Sequence, residues 1–243
     1  MTKNEVKNLL VSLANDFQFE KQHKNKLIVF LGLLGDFDSF EYALNISEFL
    51  KSTKVSKFDI FLIAIGNENG REKFCKFTDF PKENLKVVDN NQLHSLVGAS
   101  KGLDLGVGGW LNMTLMLMGI GSSKTLIEVL RGYTGDKGSN QIYSDDDQIS
   151  LFDSLKFSGR LFSKSFGKGY LRPFELATFR LNNMIEIIKN WEHYMINTKY
   201  LPQRSCTFIL NENNDIIYKF FSEDILNYSN NMKSPLDFLY EYI

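Results

Sequence analysis

The chain has 243 residues, of which 43% are hydrophobic, and this is enough for one compact domain with a sizeable core. Its 28 lysine and arginine residues against 29 aspartate and glutamate residues leave a net charge of −1. This balance lacks the electrostatic footprint of a protein that binds nucleic acid or an anionic membrane. Two cysteines far apart in sequence, Cys75 and Cys206, exclude a disulfide framework and a C-x-x-C motif.

The sequence shows no pattern typical of a metal site, a secretory signal or a membrane span. His23, His94 and His193 are scattered without a second ligand at metal-binding spacing, so we expect neither a metal site nor a cofactor. Residues 1–26 are charged throughout and lack the apolar core of a secretory signal, and the longest apolar stretch, residues 111–120, is too short to span a bilayer. We therefore expect a cytoplasmic protein without membrane or nucleic-acid partners. The sequence names no other partner and leaves a homodimer open.

The first part of the chain predicts an amphipathic helix followed by a β-α-β unit. Continuous apolar runs are typical of strands buried on both faces, and parallel strands need a helical crossover. The predicted elements are a helix over residues 2–19, a basic linker over 21–26, strands over 27–34, 58–65 and 85–88, and a helix capped by Asp89.

The second part predicts an insertion, a long helix and a closing hairpin. Pro173 suits the first turn of a helix, and we expect the apolar stripe of that helix to be core. The stripe consists of Phe174, Ala177, Leu181, Met184, Ile188, Trp191 and Met195. The other predicted elements are helices over 112–118 and 124–131, an exposed loop at 145–147, hairpin strands over 206–210 and 216–221, and a closing helix over 235–240.

This order of elements predicts an α/β protein with a thioredoxin-like fold, in which helices flank a central mixed sheet that carries a helical insertion. We treat residues 1–243 as a single domain with four parts. These are the N-terminal helix and linker (1–25), the first β-α-β unit with the third strand (26–97), the insertion (98–172), and the helix, hairpin and C-terminal helix (173–243).

The turn after the first strand contains the acidic residues Asp36 and Asp38, followed by Ser39. Such a turn lies at the carboxyl edge of the sheet, where open α/β folds bind their ligands. In the simplest interpretation Asp38 caps the next helix and Glu41 completes a capping box. An alternative is a metal-dependent phosphatase, in which one carboxylate is the nucleophile or magnesium ligand and the other is the acid/base. The hydroxyl that such a site needs at the end of the second strand is missing.

Four stretches give the chain a family resemblance. They are LIVFLGLLGDFDSFEY, FCKFTDFP, RPFELATFRLNNM with the NW that follows it, and QRSCTFILNENNDIIYKF. With them the chain resembles the peroxiredoxin-like (AhpC/TSA-type) family of the thioredoxin superfamily, in a cyanobacterial version that lacks the C-x-x-C motif. The resemblance covers nearly the whole chain and implies the thioredoxin-like fold.

The same resemblance identifies a missing catalytic atom. In thiol-active relatives the turn after the first strand holds the peroxidatic cysteine or a C-x-x-C motif, and here those positions are Asp36 and Ser39. The resemblance thus implies a binding or scaffolding descendant that is not a thiol peroxidase. An alternative is a thiol-dependent antioxidant oxidoreductase that uses Cys75 or Cys206.

The resemblance also implies which residues face the acidic turn. In thioredoxin-like folds the segment before the first hairpin strand lies opposite this turn, so Gln203, Arg204 and Cys206 are expected to border Asp36. We expect an ion pair between Arg204 and Asp36 or Asp38. The candidate binding residues are Asp36, Asp38, Ser39, Gln203 and Arg204.

Overall fold

Strands and helices alternate along the first half of the chain in the computed structural model, which describes residues 2–17, 24–51, 57–152 and 154–242. The strands are β1 (Asn25–Leu33), β2 (Phe58–Ile65), β3 (Leu85–Val88), β4 (Gln148–Leu151), β5 (Leu155–Ser158), β6 (Cys206–Leu210) and β7 (Ile216–Phe221). The helices are α1 (Lys3–Asp16), α2 (Phe37–Leu50), α3 (Glu68–Thr78), α4 (Gln92–Val97), α5 (Gly109–Leu117), α6 (Thr125–Thr134), α7 (Arg160–Phe166), α8 (Glu175–Lys189) and α9 (Trp191–Tyr194).

A five-stranded mixed sheet with the order β3-β2-β1-β6-β7 forms the centre of the molecule. β1, β2 and β3 are parallel neighbours, whereas β6 runs antiparallel to both β1 and β7. This arrangement confirms the predicted thioredoxin-like fold. The strands predicted over 58–65 and 85–88 and both hairpin strands have the predicted bounds. Apolar runs mark the fully buried strands β2 and β6, and polar turn residues delimit β3 and β7.

Both faces of the sheet are covered, which explains the unbroken apolar runs of β1 and β2. Leu27 and Val29 of β1 pack with α2 and α3 on one face. Ile28 and Phe30 pack with α1 and with β6 residues on the other. Successive strand side chains point to opposite faces, so β1 contributes to both packed layers. Because β1 is also the middle strand of the sheet, its carboxyl end lies at the centre of the molecule.

The N-terminal helix was predicted over residues 2–19 and is observed from Lys3 to Asp16. Thr2 and Glu5 form a capping box at its start, each side chain accepting a hydrogen bond from the backbone of the other. The end of the predicted helix at 18–19 and the linker residues 21–23 lie outside the described residues. Among the residues that are described, no helix combines the length and apolar character needed to cross a membrane.

Two details of the predicted helices were wrong, the residue that caps α4 and the type and bounds of the closing helix. Asp89 does not cap α4, because the N-cap position is held by Asn91 and the Asp89 carboxylate accepts a hydrogen bond from Asn90 Nδ2 at 2.7 Å. The closing helix is a 3-10 helix from Asp237 to Tyr242 and not an α-helix over 235–240. Short segments depend on the local contacts of their backbone, which periodicity does not report.

The long helix predicted to open at Pro173 begins at Glu175. Phe174 holds the N-cap position with a φ of 66°, a left-handed conformation that an α-helix cannot continue. The Phe174 N–H donates to the Tyr133 carbonyl at 3.2 Å and ties the start of α8 to α6. A tertiary hydrogen bond, which the sequence does not reveal, therefore determines where this helix begins.

The apolar stripe of α8 is only partly core, so its prediction as core was wrong. Phe174 and Ile188 are 53% and 62% exposed. The side chains that the helix buries are Glu175, Leu176, Asn183, Ile185 and Ile187. Helical periodicity finds the apolar face, but the neighbouring elements decide what covers that face.

The segment 98–172, which was predicted to be a helical insertion, contains more than helices, so its description as helical is incomplete. The two helices predicted at 112–118 and 124–131 are present as α5 and α6. The insertion also holds the antiparallel pair β4 and β5, followed by α7. Each of these strands has only four residues, which is too short for a clear alternating pattern to predict it.

Candidate functional site

The acidic turn connects the central strand β1 to α2 and is sealed from solvent. Asp36 holds the N-cap position of α2, and its N–H donates to the Leu33 carbonyl at 2.8 Å. Asp36 and Asp38 are each 1% exposed, and Ser39 is fully buried. The turn therefore lies at the predicted carboxyl edge of the sheet but is packed shut.

The capping box expected from Asp38 and Glu41 is not formed. The helix begins at Phe37, so Asp38 lies inside its first turn, and the Asp36 side chain makes no cap hydrogen bond. Glu41 instead binds Arg180, with 2.7 Å between Arg180 Nε and Glu41 Oε2. Two tertiary ion pairs thus replace the local cap, since each carboxylate has an arginine within reach.

Arg204 lies opposite the turn and contacts both carboxylates, as the predicted ion pair requires. Its Nη1 donates to Asp38 Oδ2 at 2.9 Å, and its Nη2 is 3.5 Å from Asp36 Oδ2. The remaining contacts hold the guanidinium in place, because Nε donates to the Pro202 carbonyl at 2.7 Å and Nη2 to the Leu201 carbonyl at 2.9 Å. The whole Arg204 side chain is buried.

One guanidinium between two buried carboxylates leaves a negative charge to be neutralised. Burial raises the pKa of Asp36, and burial together with the neighbouring Asp36 charge raises the pKa of Asp38 to about 8. Asp38 accepts hydrogen bonds from Arg204 and from the Leu226 N–H, the latter at 2.7 Å. Asp36 accepts none of normal geometry from the described residues. Burial and the mutual repulsion of the two carboxylates therefore favour protonation of one of them at neutral pH, which leaves a single negative charge to pair with Arg204.

Gln203 and Ser39 do not join the ion-pair cluster. Gln203 Nε2 donates to the Ser100 carbonyl at 2.7 Å, and Gln203 Oε1 accepts from Asn91 Nδ2 at 2.9 Å. The side chain thus connects the loop before β6 to α4. The Ser39 hydroxyl is buried without a hydrogen-bond partner among the described residues. That these two residues bind a ligand stays a prediction.

The two cysteines lie on opposite faces of the central sheet. Cys75 packs with α2 on one face, and Cys206 packs with Phe30 on the other. Burial raises the pKa of Cys75 to about 11 and holds the pKa of Cys206 well above its usual range. Both side chains are therefore thiols at neutral pH, and the sheet separates them.

Two residues that support the turn were missed by the sequence analysis. His94 is buried in α4, and its Nε2 donates to the Leu31 carbonyl of β1 at 2.5 Å. Gly32 leaves room for the opposite loop, because a Cβ there would lie 2.7 Å from the Gln203 carbonyl oxygen and 3.0 Å from Asp36 Oδ2. The glycine inside an otherwise apolar strand run was the one signal for this close approach.

The side chains around the turn are poorly placed to hold a metal ion. Within residues 2–17, 24–51, 57–152 and 154–242, no group of three or more His, Cys, Asp or Glu side chains is placed to hold a metal ion. Asp36 and Asp38 are the two carboxylates that the phosphatase alternative would use as metal ligand and acid/base. Arg204 lies against both of them.

Comparison with known proteins connects this fold to one family. Residues 45–224, more than half of the chain, match the family model of the AhpC/TSA antioxidant enzyme. The matched part includes Cys75, Arg204 and Cys206, and it begins after Asp36 and Asp38. It therefore bears on the fold and not on the residue at the end of β1. No curated protein and no solved structure matches the chain significantly.

Proposed function

Because the chain belongs to the AhpC/TSA antioxidant enzyme family, we propose that it is a binding or scaffolding member of that family without thiol peroxidase activity. The proposal takes Asp36 as the residue at the peroxidatic position. The observation that carries it is the buried contact of Asp36 with Arg204, at 3.5 Å, where a thiol enzyme needs a reactive sulfur.

The chemistry of peroxide reduction supports this proposal. A thiolate attacks one peroxide oxygen, the O–O bond breaks, and the sulfur is oxidised. A carboxylate has no oxidisable sulfur, so Asp36 cannot take this role. Arg204 donates to Asp38 and to two backbone carbonyls, and it is thus engaged in holding the turn together.

A thiol-dependent oxidoreductase that uses Cys75 or Cys206 is the second candidate function. Catalytic cysteines need a lowered pKa and access to the peroxide. The pKa of Cys75 is raised to about 11, and Cys206 is fully buried. Both observations favour a structural role for these residues, in which they pack as small apolar side chains.

A metal-dependent phosphatase that uses Asp36 and Asp38 is the third candidate. Magnesium keeps several waters and binds through one or two carboxylates that reach the substrate phosphate. Asp38 uses one oxygen for Arg204 and the other for the Leu226 N–H, and both aspartates are buried. This geometry favours a structural cluster over a phosphoryl-transfer site.

Peroxide consumption tests the proposed function. We expect no turnover of hydrogen peroxide above the protein-free rate with either a thioredoxin or a glutathione recycling system, because the described cysteines are buried thiols. The matched control is the Cys75→Ser/Cys206→Ser double variant, which should give the same background. Turnover that disappears in the double variant would overturn the proposal. A magnesium-dependent phosphatase assay on wild type and Asp36→Asn tests the third candidate in the same way.

A further inference from the structure

An apolar groove lies directly beside the sealed turn. Its volume is about 450 Å³, within the range of roughly 300–1,000 Å³ that is typical of small-molecule sites. Its walls come from α6, α8, the end of α5 and the start of α2. The lining is mostly apolar and includes Phe37, Tyr133, Phe174, Thr178, Arg180 and Leu226.

Two residues, Phe37 and Leu226, connect the groove to the acidic turn. Phe37 lines the groove and follows Asp36 directly. Leu226 also lines the groove, and its N–H donates to Asp38 Oδ1 at 2.7 Å. The ion-pair cluster therefore forms a rigid base under one end of the groove.

Aromatic side chains form the rim. Tyr133 and Phe174 are 52% and 53% exposed, and their rings meet edge to face with centroids 6.1 Å apart. Phe174 holds this position in the left-handed conformation, which is costly for a bulky side chain. Two half-exposed aromatic rings thus border the mouth of the groove, where they could pack against the ring of a bound molecule.

The charge of the lining is already neutralised within the protein. Arg180 is the one ionised side chain among the lining residues, and it is held by Glu41 at 2.7 Å and by the Glu128 carbonyl at 2.9 Å. Its Nη2 also lies 3.4 Å from Glu128 Oε2. An ionic ligand would find no free counter-charge here, so the groove favours an uncharged ligand.

We propose that this groove binds an uncharged, apolar small molecule that carries a flat ring. The proposal rests on the binding function proposed above and deepens it. It names the class of ligand that would bind in the groove beside the acidic turn. A small molecule fits better than a partner helix, because α6 and α8 meet at Gly132, where a Cβ would lie 3.5 Å from Ala177 N. The two helices leave no space for a third helix between them.

A fluorescence titration with N-phenyl-1-naphthylamine, an uncharged apolar probe, tests the proposal. We expect one probe site per chain in the wild-type protein. Thr178→Trp fills the groove and should weaken probe binding at least tenfold. Ile188→Trp places the same side chain on α8 at a site that is 62% exposed and outside the groove, and it should bind as the wild type does. The probe is excited outside the tryptophan absorption band.

Four outcomes of this titration would contradict the proposal. The first is wild-type affinity in Thr178→Trp, and the second is an equal loss in Ile188→Trp. The third is tighter binding of the anionic probe 1-anilinonaphthalene-8-sulfonate, which would contradict an uncharged ligand. A chain that dimerises through the groove would show probe affinity that falls as protein concentration rises, and this outcome would assign the groove to a second copy and also overturn the proposal.

A second variant keeps the test decisive if Thr178→Trp fails to unfold cooperatively. Tyr133→Ala removes half of the exposed rim and should weaken the probe several-fold while thermal unfolding stays cooperative. Unchanged affinity in Tyr133→Ala would count against the proposal. Probe binding is read independently of peroxide turnover, so cysteine-dependent turnover together with intact probe binding would refute the proposed function and not the ligand class of the groove.

Discussion

At the scale of single residues, the proposed function places a carboxylate, Asp36, where a thiol peroxidase carries its sulfur, and the two groups differ in what they need from the turn after β1. A thiolate at a helix N-terminus is stabilised by backbone N–H groups and the helix dipole, and it must stay accessible. Asp36 and Asp38 instead share Arg204 inside the protein. A buried charge is tolerated only when it is paired, so the pairing of these three residues maintains the sealed turn.

Removing the shared arginine tests this interpretation. Arg204→Met should destabilise the protein by about 3–5 kcal/mol, because it leaves buried carboxylates without their cation. Urea unfolding at pH 7 measures the change. The Arg204→Met/Asp36→Asn/Asp38→Asn triple variant removes the charges together and should recover most of the lost free energy. A loss in the single variant of less than about 1 kcal/mol, the size of an exposed ion pair, would contradict the buried pairing.

At the scale of elements, β1 is interrupted by a glycine where the chain needs space. The pairing of β1 with β2 shifts register between Phe30 and Leu33. Gly32 lies within this shift, facing the Gln203 carbonyl of the loop before β6. The Leu31 carbonyl accepts the His94 hydrogen bond, so side chains from outside the sheet complete the irregular end of the strand.

A methyl group at this position should therefore be costly. Gly32→Ala brings a Cβ within 2.7 Å of the Gln203 carbonyl oxygen, a backbone atom that can move only if the loop moves, and we expect a loss of about 1–3 kcal/mol. Gly132→Ala is the matched control, since its Cβ would lie 3.5 Å from Ala177 N. As an alanine inside α6 it should stabilise by up to about 1 kcal/mol. Equal stabilities of the two variants in urea unfolding would show that the loop approach is unimportant.

At the scale of the whole molecule, ion pairs connect elements that are far apart in sequence. Arg180 of α8 binds Glu41 of α2 at 2.7 Å. Glu128 of α6 lies between Arg180 and Arg131, with 2.7 Å to Arg131 Nη2. These pairs tie α8 to α2 and α6 through Arg180, a contact that the apolar periodicity of α8 does not report.

Buried titratable groups make the stability of the whole molecule depend on pH, with opposite signs. Burial lowers the pKa of His94 from 6.5 to about 4. Between pH 6.5 and about pH 4 the unfolded chain therefore binds a proton at His94 that the folded protein does not bind. The contribution of His94 to the free energy of unfolding is thus complete above pH 6.5 and is lost as the pH falls to about 4. The raised pKa of Asp38 acts oppositely: its contribution is complete below about pH 4 and is lost as the pH rises through about 8.

The histidine part of this dependence can be measured separately. Between pH 6.5 and pH 4 the wild-type protein should lose ~3 kcal/mol through His94, and His94→Gln should lose correspondingly less over the same interval. His193→Gln is the control, because the His193 side chain is 32% exposed and pairs with Glu192 at the surface. Parallel stability curves of wild type and His94→Gln in urea unfolding would contradict the role given to His94.

The sequence by itself was sufficient for the sheet and for the position of the acidic turn. The bounds of β2, β3, β6 and β7 were predicted as observed. Burial on both faces leaves a strong local pattern in β2 and β6, and polar turn residues delimit the partly exposed strands β3 and β7. The family resemblance predicted an ion pair of Arg204 with Asp36 or Asp38, since the fold places the loop before β6 opposite the turn, and the structure places Arg204 against both.

Only the tertiary structure decided how these parts are covered and charged. The helix start at Glu175, the missing capping box and the groove along α8 depend on contacts between residues distant in the chain, such as Phe174 with Tyr133 and Glu41 with Arg180. The raised pKa values of Asp36 and Asp38 depend on complete burial next to a single guanidinium. Local pattern reflects whether a side chain is apolar, whereas desolvation and pairing depend on which neighbours the fold brings to it.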